Sequence, residues 1–175
     1  VVESAAESFV PKYISEYIKS HPKLRIIIID DNSSALQSMM EDNEIDLIIT
    51  DRVFSGANYE IYTLFNSEVV CACSPRHPLA GKNVELSELI DQRIILRPDG
   101  TPAFSGVNAY LQQYNYSVYQ FKSVLEVNSF AAARLLLLQD AGICFFNRCL
   151  IMPDIDDGLL KTIHITTPLA FKGVD

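Results

Sequence analysis

Four times along this chain, a run of apolar, largely β-branched residues ends at a small polar residue that opens a helical pattern. Each junction predicts a strand followed by a helix N-terminus, where backbone N–H groups lack partners and the helix dipole is positive. In an open α/β sheet such helix ends lie at the carboxyl edge of the strands, where ligands bind. The order therefore predicts an α/β fold that presents polar groups to a small molecule. The four junctions fall at Ser4, at Asn32 and Ser33, at Thr101, and at Asn128 and Ser129.

The patterns along the chain favour two α/β lobes rather than one. The first 50 residues have a β-α-β-α-β order, which implies parallel strands joined by right-handed crossovers. The pattern changes near Tyr59, after which a second α/β series begins. We expect lobe I to comprise residues 1–70 and 149–175, and lobe II residues 71–148. A cleft between two such lobes is a natural ligand site.

The charge of the chain argues against a nucleic-acid-binding surface on this segment. There are 14 Lys and Arg against 22 Asp and Glu, a net charge of −8, and no two basic residues are adjacent. A surface that holds a phosphate backbone needs clustered Lys and Arg. No apolar run is long enough to span a bilayer, and no signal-peptide pattern opens the chain. We therefore expect a cytoplasmic protein.

The sequence has no recognisable set of catalytic or cofactor-binding residues. A nucleophile elbow and a phosphate-binding glycine loop are both absent. The four cysteines are too dispersed for a disulfide framework, and Cys71 and Cys73 lack a companion His or Cys at metal-ligand spacing. We interpret the cysteines as buried structural thiols. We expect no enzyme, no metal and no cofactor.

One turn and several shorter stretches carry a resemblance to a known family. The turn Ser74-Pro-Arg-His-Pro-Leu-Ala-Gly81 is the most specific of them. The stretches Leu86–Leu89, Glu126–Asn128 and Ala141–Ile143 follow it in matching order and spacing. Together they resemble the effector-binding domain of LysR-type transcriptional regulators, over nearly all 175 residues.

This resemblance implies both a fold and a function. The expected fold is periplasmic-binding-protein-like (type 2), with two Rossmann-like lobes and a small-molecule effector in the interlobe cleft. The intact protein would control transcription as a homodimer or tetramer. It would bind DNA only through an N-terminal winged helix-turn-helix that this chain does not contain. The helix that closes lobe I in the family would follow Asp175.

The resemblance also implies which residues contact the effector. For Ser4, Asn32 and Ser33 an ordinary helix-capping role is the alternative, with Asn32 favoured as the cap. Phe104 is also open to interpretation as a core residue. Asn147 stands where the family often has proline, and would offer an amide to the cleft. The full set of predicted contacts is Ser4, Asn32, Ser33, Asp51, Thr101, Phe104, Asn128 and Asn147.

Charged residues at the strand ends leave the class of effector open. If Asp51 points inward, a cationic or polyhydroxylated effector is favoured. If Arg52 or Arg97 points inward instead, a carboxylate is favoured through a bidentate hydrogen bond. Solvated surface charge is the alternative for each.

Two other functions are compatible with a two-lobed α/β chain. A solute-binding protein of an ABC importer shares the architecture, but the short chain and the turn at His77–Gly81 oppose it. A dehydratase-type enzyme would need an acid–base pair, for which Asp51 is the only evident candidate.

Overall fold

The structure is a computed structural model that describes residues 1–50, 54, 59–64, 68–99 and 101–167, without the side chain of Pro102. The chain divides into two compact units, one within residues 1–66 and the other within residues 67–173. Within the described ranges, every helix is too short or too polar to span a bilayer.

The helices among the described residues of the first unit are α1 (Glu3–Ala6), α2 (Val10–Ser20) and α3 (Ser33–Glu41). Pro11 lies in the first turn of α2, where a missing N–H costs little. The Asn32 side chain accepts hydrogen bonds from two backbone N–H groups of α3 and so caps it. The two helices expected in the β-α-β-α-β order of the first 50 residues are present as α2 and α3.

The strands of the expected β-α-β-α-β order, which correspond to the apolar runs at residues 26–29 and 45–49, do not form a continuous ladder among the described residues. Isolated backbone hydrogen bonds link these segments to the chain start. The Val1 amino group donates to Ile29 O at 2.7 Å, and Asp31 N–H donates to Val1 O at 3.2 Å, which is the exchange of a parallel bridge. Val2 N–H donates to Ile49 O at 3.0 Å. Ile27 is 68% exposed, so apolar composition here has not produced a buried strand.

The second unit contains a six-stranded sheet in the order β2-β6-β1-β5-β3-β4. Strand β1 is antiparallel to both β5 and β6, whereas β3 is parallel to both β4 and β5. Strand β2 is parallel to β6. The elements are β1 (Val69–Cys73), β2 (Asn83–Val84), α4 (Leu86–Ile90), β3 (Arg93–Leu96), α5 (Pro102–Gln113), a 3₁₀ turn (Val118–Gln120), β4 (Ser123–Glu126), α6 (Phe130–Leu138), β5 (Ile143–Asn147), α7 (Arg148–Asp156) and β6 (Lys161–Ile165).

Both faces of this sheet are covered by apolar side chains. Ile94 and Leu96 of β3 pack on one face, in a cluster that includes residues of α5. Ile95 packs on the other face, in a cluster that includes Phe130 of α6 and Ile151 of α7. A central parallel strand covered on both sides needs such a continuous apolar run. Strand β4 lies at the edge of the sheet and alternates between half-buried and exposed residues.

Helix α7 and strand β6 lie in the second unit. The assignment of residues 149–175 to lobe I, made from the sequence, stays a prediction. Strand β6 pairs with β1, with Ile163 opposite Cys71. Ile163 is buried in the core of this sheet, so the pairing removes its side chain from water.

Candidate functional site

Three parallel strands of the second unit end at one edge of the sheet. In the shared register Leu96 of β3 lies beside Glu126 of β4, and Ile94 of β3 lies beside Ile143 of β5. Helices α5, α6 and α7 follow β3, β4 and β5 directly or after a short loop. Their N-terminal ends therefore gather at this edge, where backbone N–H groups and the positive ends of helix dipoles favour a polar or anionic partner.

The loops after β3 and β4 are tied to each other. Arg97 Nη2 donates a hydrogen bond to Asn128 Oδ1 at 3.4 Å. Val127 N–H donates to Leu96 O at 2.8 Å and continues the pairing of the strands for one more residue. A guanidinium and an amide thus stand together at the carboxyl edge, between the starts of α5 and α6.

Thr101 is the N-cap of α5. Its hydroxyl oxygen accepts a hydrogen bond from Phe104 N–H at 3.3 Å, and the same hydroxyl donates to Pro98 O at 2.8 Å. The helix junction predicted here is confirmed. Effector contact by Thr101 stays a prediction. The hydroxyl has given its one proton to Pro98 O, so it could accept a further hydrogen bond but not donate one without losing that contact.

Phe104 lies in the core rather than at the edge. Its side chain is 4% exposed and belongs to the cluster between α5 and the sheet. Its ring centroid is 6.3 Å from that of Tyr119. Of the two interpretations offered by the sequence, the structure supports the packing one, because the helix turn after Thr101 directs Phe104 to the buried face.

Helix α6 is capped by Ser129, whose hydroxyl accepts a hydrogen bond from Ala132 N–H at 3.2 Å. This leaves Asn128 exposed in front of the helix and bonded to Arg97. The predicted contacts include Asn128 but omit both Ser129 and Arg97. Ser129 follows an apolar strand and precedes the helical pattern of α6, which is the sequence signal of an N-cap. The Arg97–Asn128 pairing had no local signal.

Asn147 ends β5 and immediately precedes α7, so it stands at the same edge as the loops after β3 and β4. Its side chain makes no capping hydrogen bond to α7. The structure thus brings three predicted contacts of the second unit, Thr101, Asn128 and Asn147, to one edge of one sheet.

In the first unit, Ser33 Oγ lies 3.2 Å from Thr50 Oγ1. This contact places the start of α3 beside the end of the segment that the sequence predicted as a third strand. Asn32 is the cap of α3, as the sequence favoured. Ser4 is not a cap, because α1 begins at Glu3 after Val2 and has no side-chain cap. Asp51, like Arg52, lies outside the described residues.

A cavity of about 670 Å³ lies in the first unit between α2 and residues 24–28. Its lining is mainly apolar, and none of the predicted contacts belongs to it. Ser15, Lys19 and His21 are its polar lining residues, and no strand end or capped helix start contributes to it, so we place the candidate site at the sheet edge instead.

Three of the cysteines are buried and inert in character. Burial raises the pKa of the Cys71, Cys73 and Cys144 thiols, that of Cys73 to about 12. The packing interpretation is confirmed for these three, whereas Cys149 is only half-buried. The described residues hold no group of three or more His, Cys, Asp and Glu side chains that could bind a metal ion.

Comparison with known proteins decides the family. Residues 1–172 match the model of the LysR substrate binding domain. The chain belongs to this family. The resemblance carried by the Ser74–Gly81 turn is therefore confirmed.

A curated relative of this LysR substrate-binding domain is the probable RuBisCO transcriptional regulator of Thalassiosira pseudonana. The two are 23% identical over 164 residues, which cover 90% of this chain and 52% of the relative. The chain thus spans about half the length of that regulator. Solute-binding proteins and dehydratases are not favoured by these matches.

Solved structures show the same fold. The regulatory domain of Synechocystis PCC6803 CcmR in complex with 2-PG matches with a TM-score of 0.73 and 22% identity, over 94% of this chain and 78% of that one. The BenM effector-binding domain with its effector benzoate, from Acinetobacter baylyi, matches with a TM-score of 0.65 and 23% identity, over 95% and 75%. The predicted α/β fold of LysR effector-binding domains is confirmed.

Proposed function

We propose that this chain is the ligand-sensing domain of a LysR-type transcriptional regulator and that its effector is a small organic acid. The effector would bind at the carboxyl edge of β3, β4 and β5. Its differential affinity for two states of the regulator would shift the equilibrium between them, which is all that a ligand can do to a conformational equilibrium. Family membership supports the sensory role.

The observation that carries the site is the hydrogen bond between Arg97 and Asn128. A guanidinium is always charged and presents its donors in a planar fork that matches a carboxylate. Here it stands beside the capped starts of α5 and α6, whose dipoles also favour an anion. An acid group bound at this edge would meet several donors that are already in place.

The structural relatives support the acid class. BenM was solved with its effector benzoate, and CcmR with 2-PG. Among the charges considered from the sequence, Arg97 lies at the carboxyl edge of β3, bonded to Asn128. Arg97 therefore carries the proposal for an anionic effector.

We extend the proposal to the contacts predicted from the sequence. Thr101, Asn128 and Asn147 would contact the effector from the second unit. Ser4, Asn32 and Ser33 would contact the effector from residues of the first unit, as the family resemblance implies. Phe104 would support α5 from the core rather than touch the effector, because its ring is buried.

For the whole regulator, we propose DNA binding through an N-terminal winged helix-turn-helix outside this chain, in a homodimeric or tetrameric protein of the cytoplasm. The net charge of −8 fits a segment that does not itself hold DNA. We propose no catalytic role, since no acid–base pair or nucleophile is evident in the sequence.

The proposal is tested by titrating the chain with benzoate, 2-PG and a panel of other small organic acids, with calorimetry and thermal unfolding as readouts. A ligand present at about 100 times its Kd should stabilise the fold by about 2.7 kcal/mol. Substitution R97M should weaken binding of any acid that the wild-type chain binds by about tenfold or more, the loss of one charge-assisted hydrogen bond.

Arg93 provides a matched control because it lies on the same strand at the opposite end, with its Nε bonded to Ser123 Oγ. Substitution R93M should leave acid binding unchanged. Equal losses in R93M and R97M would contradict the proposed site. Binding of amines or neutral sugars, with no acid bound, would contradict the proposed effector class.

A further inference from the structure

Arg134 of α6 and Asp154 of α7 form a bidentate ion pair. Arg134 Nε donates to Asp154 Oδ2 at 2.6 Å, and Arg134 Nη2 donates to Asp154 Oδ1 at 2.5 Å. Asp154 is 3% exposed, whereas the Arg134 side chain is 35% exposed. The carboxylate is thus held inside the protein by a guanidinium that reaches it from the partly exposed side of α6.

Stability alone does not account for such a pair. The cost of withdrawing a charge from water often exceeds the attraction gained, and apolar residues of similar size are frequently as stabilising. A two-pronged bond adds direction, since both donors must meet both oxygens of one carboxylate. The pair therefore sets the register of α6 against α7 more strictly than an apolar contact would.

Both helices begin at the candidate site. Arg134 is the fifth residue of α6, one turn beyond its cap Ser129. Helix α7 begins at Arg148, directly after Asn147. A shift or rotation of either helix along the other would move the residues in front of it at the sheet edge.

Asp154 also binds the residues that follow the C-terminal end of α7. The backbone carbonyl of Asp154 accepts hydrogen bonds from Leu159 N–H at 2.8 Å and from Leu160 N–H at 3.0 Å. Leu160 is buried in the cluster under α6 and α7. Asp154 therefore joins three parts of the second unit: α6 through its side chain, and α7 and the turn before β6 through its backbone.

We infer that the Arg134–Asp154 pair is a positioning device that holds the N-terminal ends of α6 and α7, and with them Asn128 and Asn147, in the arrangement that binds the effector. This inference rests on the proposed function. Arg134 and Asp154 are positioning residues that act through the two helices.

The test replaces the pair by apolar side chains in the double variant R134M/D154L. We expect the urea midpoint of unfolding to equal or exceed that of the wild-type chain. Amide hydrogen exchange at the hydrogen-bonded positions nearest the two helix starts, Ala132 and Ala133 of α6 and Arg148 of α7, is measured without ligand. It should nevertheless accelerate by about tenfold, a difference that a merely structural role would not produce in a variant of equal stability. Unchanged exchange at both helix starts in a variant this stable would overturn the inference.

Substitution R134K is a second variant, for the case in which the apolar pair fails to fold. Lysine keeps the positive charge but cannot make the bidentate hydrogen bond of the guanidinium. Amide exchange at the starts of α6 and α7 should therefore rise again, while the strands of the sheet stay protected. Wild-type exchange rates at these positions in R134K would overturn the inference. The control E41Q removes the charge of the exposed carboxylate that accepts from Gln37 Nε2 on α3, and it should change neither readout.

Benzoate and 2-PG titrations of the same variants complete the design. Either acid that binds the wild-type chain should bind R134M/D154L about tenfold more weakly, and wild-type affinity in a variant with loosened helix starts would overturn the link to the effector. If neither acid nor any other in the panel binds the wild-type chain, the proposed effector class fails. The exchange comparison, made without ligand, still decides whether the pair positions the helices.

Discussion

Arg97 and Asn128 are separated by 31 residues in sequence and joined by a hydrogen bond of 3.4 Å. The bond connects the loop after β3 with the loop after β4, so the starts of α5 and α6 share one polar edge. For the amide to accept from Arg97, its oxygen must face the guanidinium. The Asn128 amide thereby orients the guanidinium that we propose as the main anion contact.

Substitution N128A should reduce binding of an organic acid by about tenfold, close to the contribution of one hydrogen bond to a charged group. The stability of the chain should change by no more than about 0.5 kcal/mol, because Asn128 is exposed. Calorimetric titration and urea unfolding measure the two quantities. The control Q113A removes an exposed amide at the far end of α5 and should affect neither.

Substitution F104A should lower the free energy of unfolding by about 3 to 5 kcal/mol, because it leaves a cavity in the core under α5. Tyr119, whose ring neighbours that of Phe104, is 69% exposed, so Y119A should cost less than about 1 kcal/mol. Urea unfolding of both variants gives the comparison. If F104A barely changes the free energy of unfolding but strongly weakens acid binding, Phe104 contacts the effector and the packing interpretation is wrong.

Substitution G142A should destabilise the chain by about 3 kcal/mol or more. Gly142 has φ +154°, and a Cβ at this position would lie 2.4 Å from the carbonyl oxygen of Arg93. The backbone at Gly142 or at Arg93 must move to accept the methyl group. Arg93 begins β3, and Arg97 directly follows the last residue of that strand. Thermal unfolding measures the loss.

Gly81 is the matched control for this backbone effect. It has φ +70°, and a methyl group added to its Cα would meet nothing within 4 Å. Substitution G81A should therefore cost only about 1 kcal/mol, from backbone conformation alone. Equal costs at the two positions would show that the contact with Arg93 is relaxed without penalty.

The free energy of unfolding should fall as pH rises from about 9 to about 12. Burial raises the pKa of Cys73 from 9.0 to about 12, so the folded chain keeps this proton after the unfolded chain has released it. The stabilisation is complete below the unfolded pKa and is lost as pH passes through the folded value. Urea midpoints of the wild-type chain and of C73A, compared at pH 8 and pH 10.5, isolate the contribution of this thiol. An identical pH dependence in the two proteins would contradict it.

Local signals in the sequence predicted most of the helices and their starts. Asn32 and Thr101 cap α3 and α5 because a short polar side chain can reach the N–H groups of its own next turn. The same argument failed at Ser4, where the chain enters α1 one residue earlier without a side-chain cap. Apolar runs also predicted strands in the first unit, where Leu47 remains 72% exposed and no ladder forms among the described residues.

By itself, then, the sequence determined the α/β class, the family and the capped helix starts, because periodicity, capping and the Ser74–Gly81 turn all act within a few residues. Only the tertiary structure decided that β6 pairs with β1, that Arg97 meets Asn128, and that Arg134 reaches Asp154. Such pairings depend on which distant surfaces bury the most apolar area and satisfy the most polar groups together. The residues next to each partner in sequence therefore do not predict these pairings.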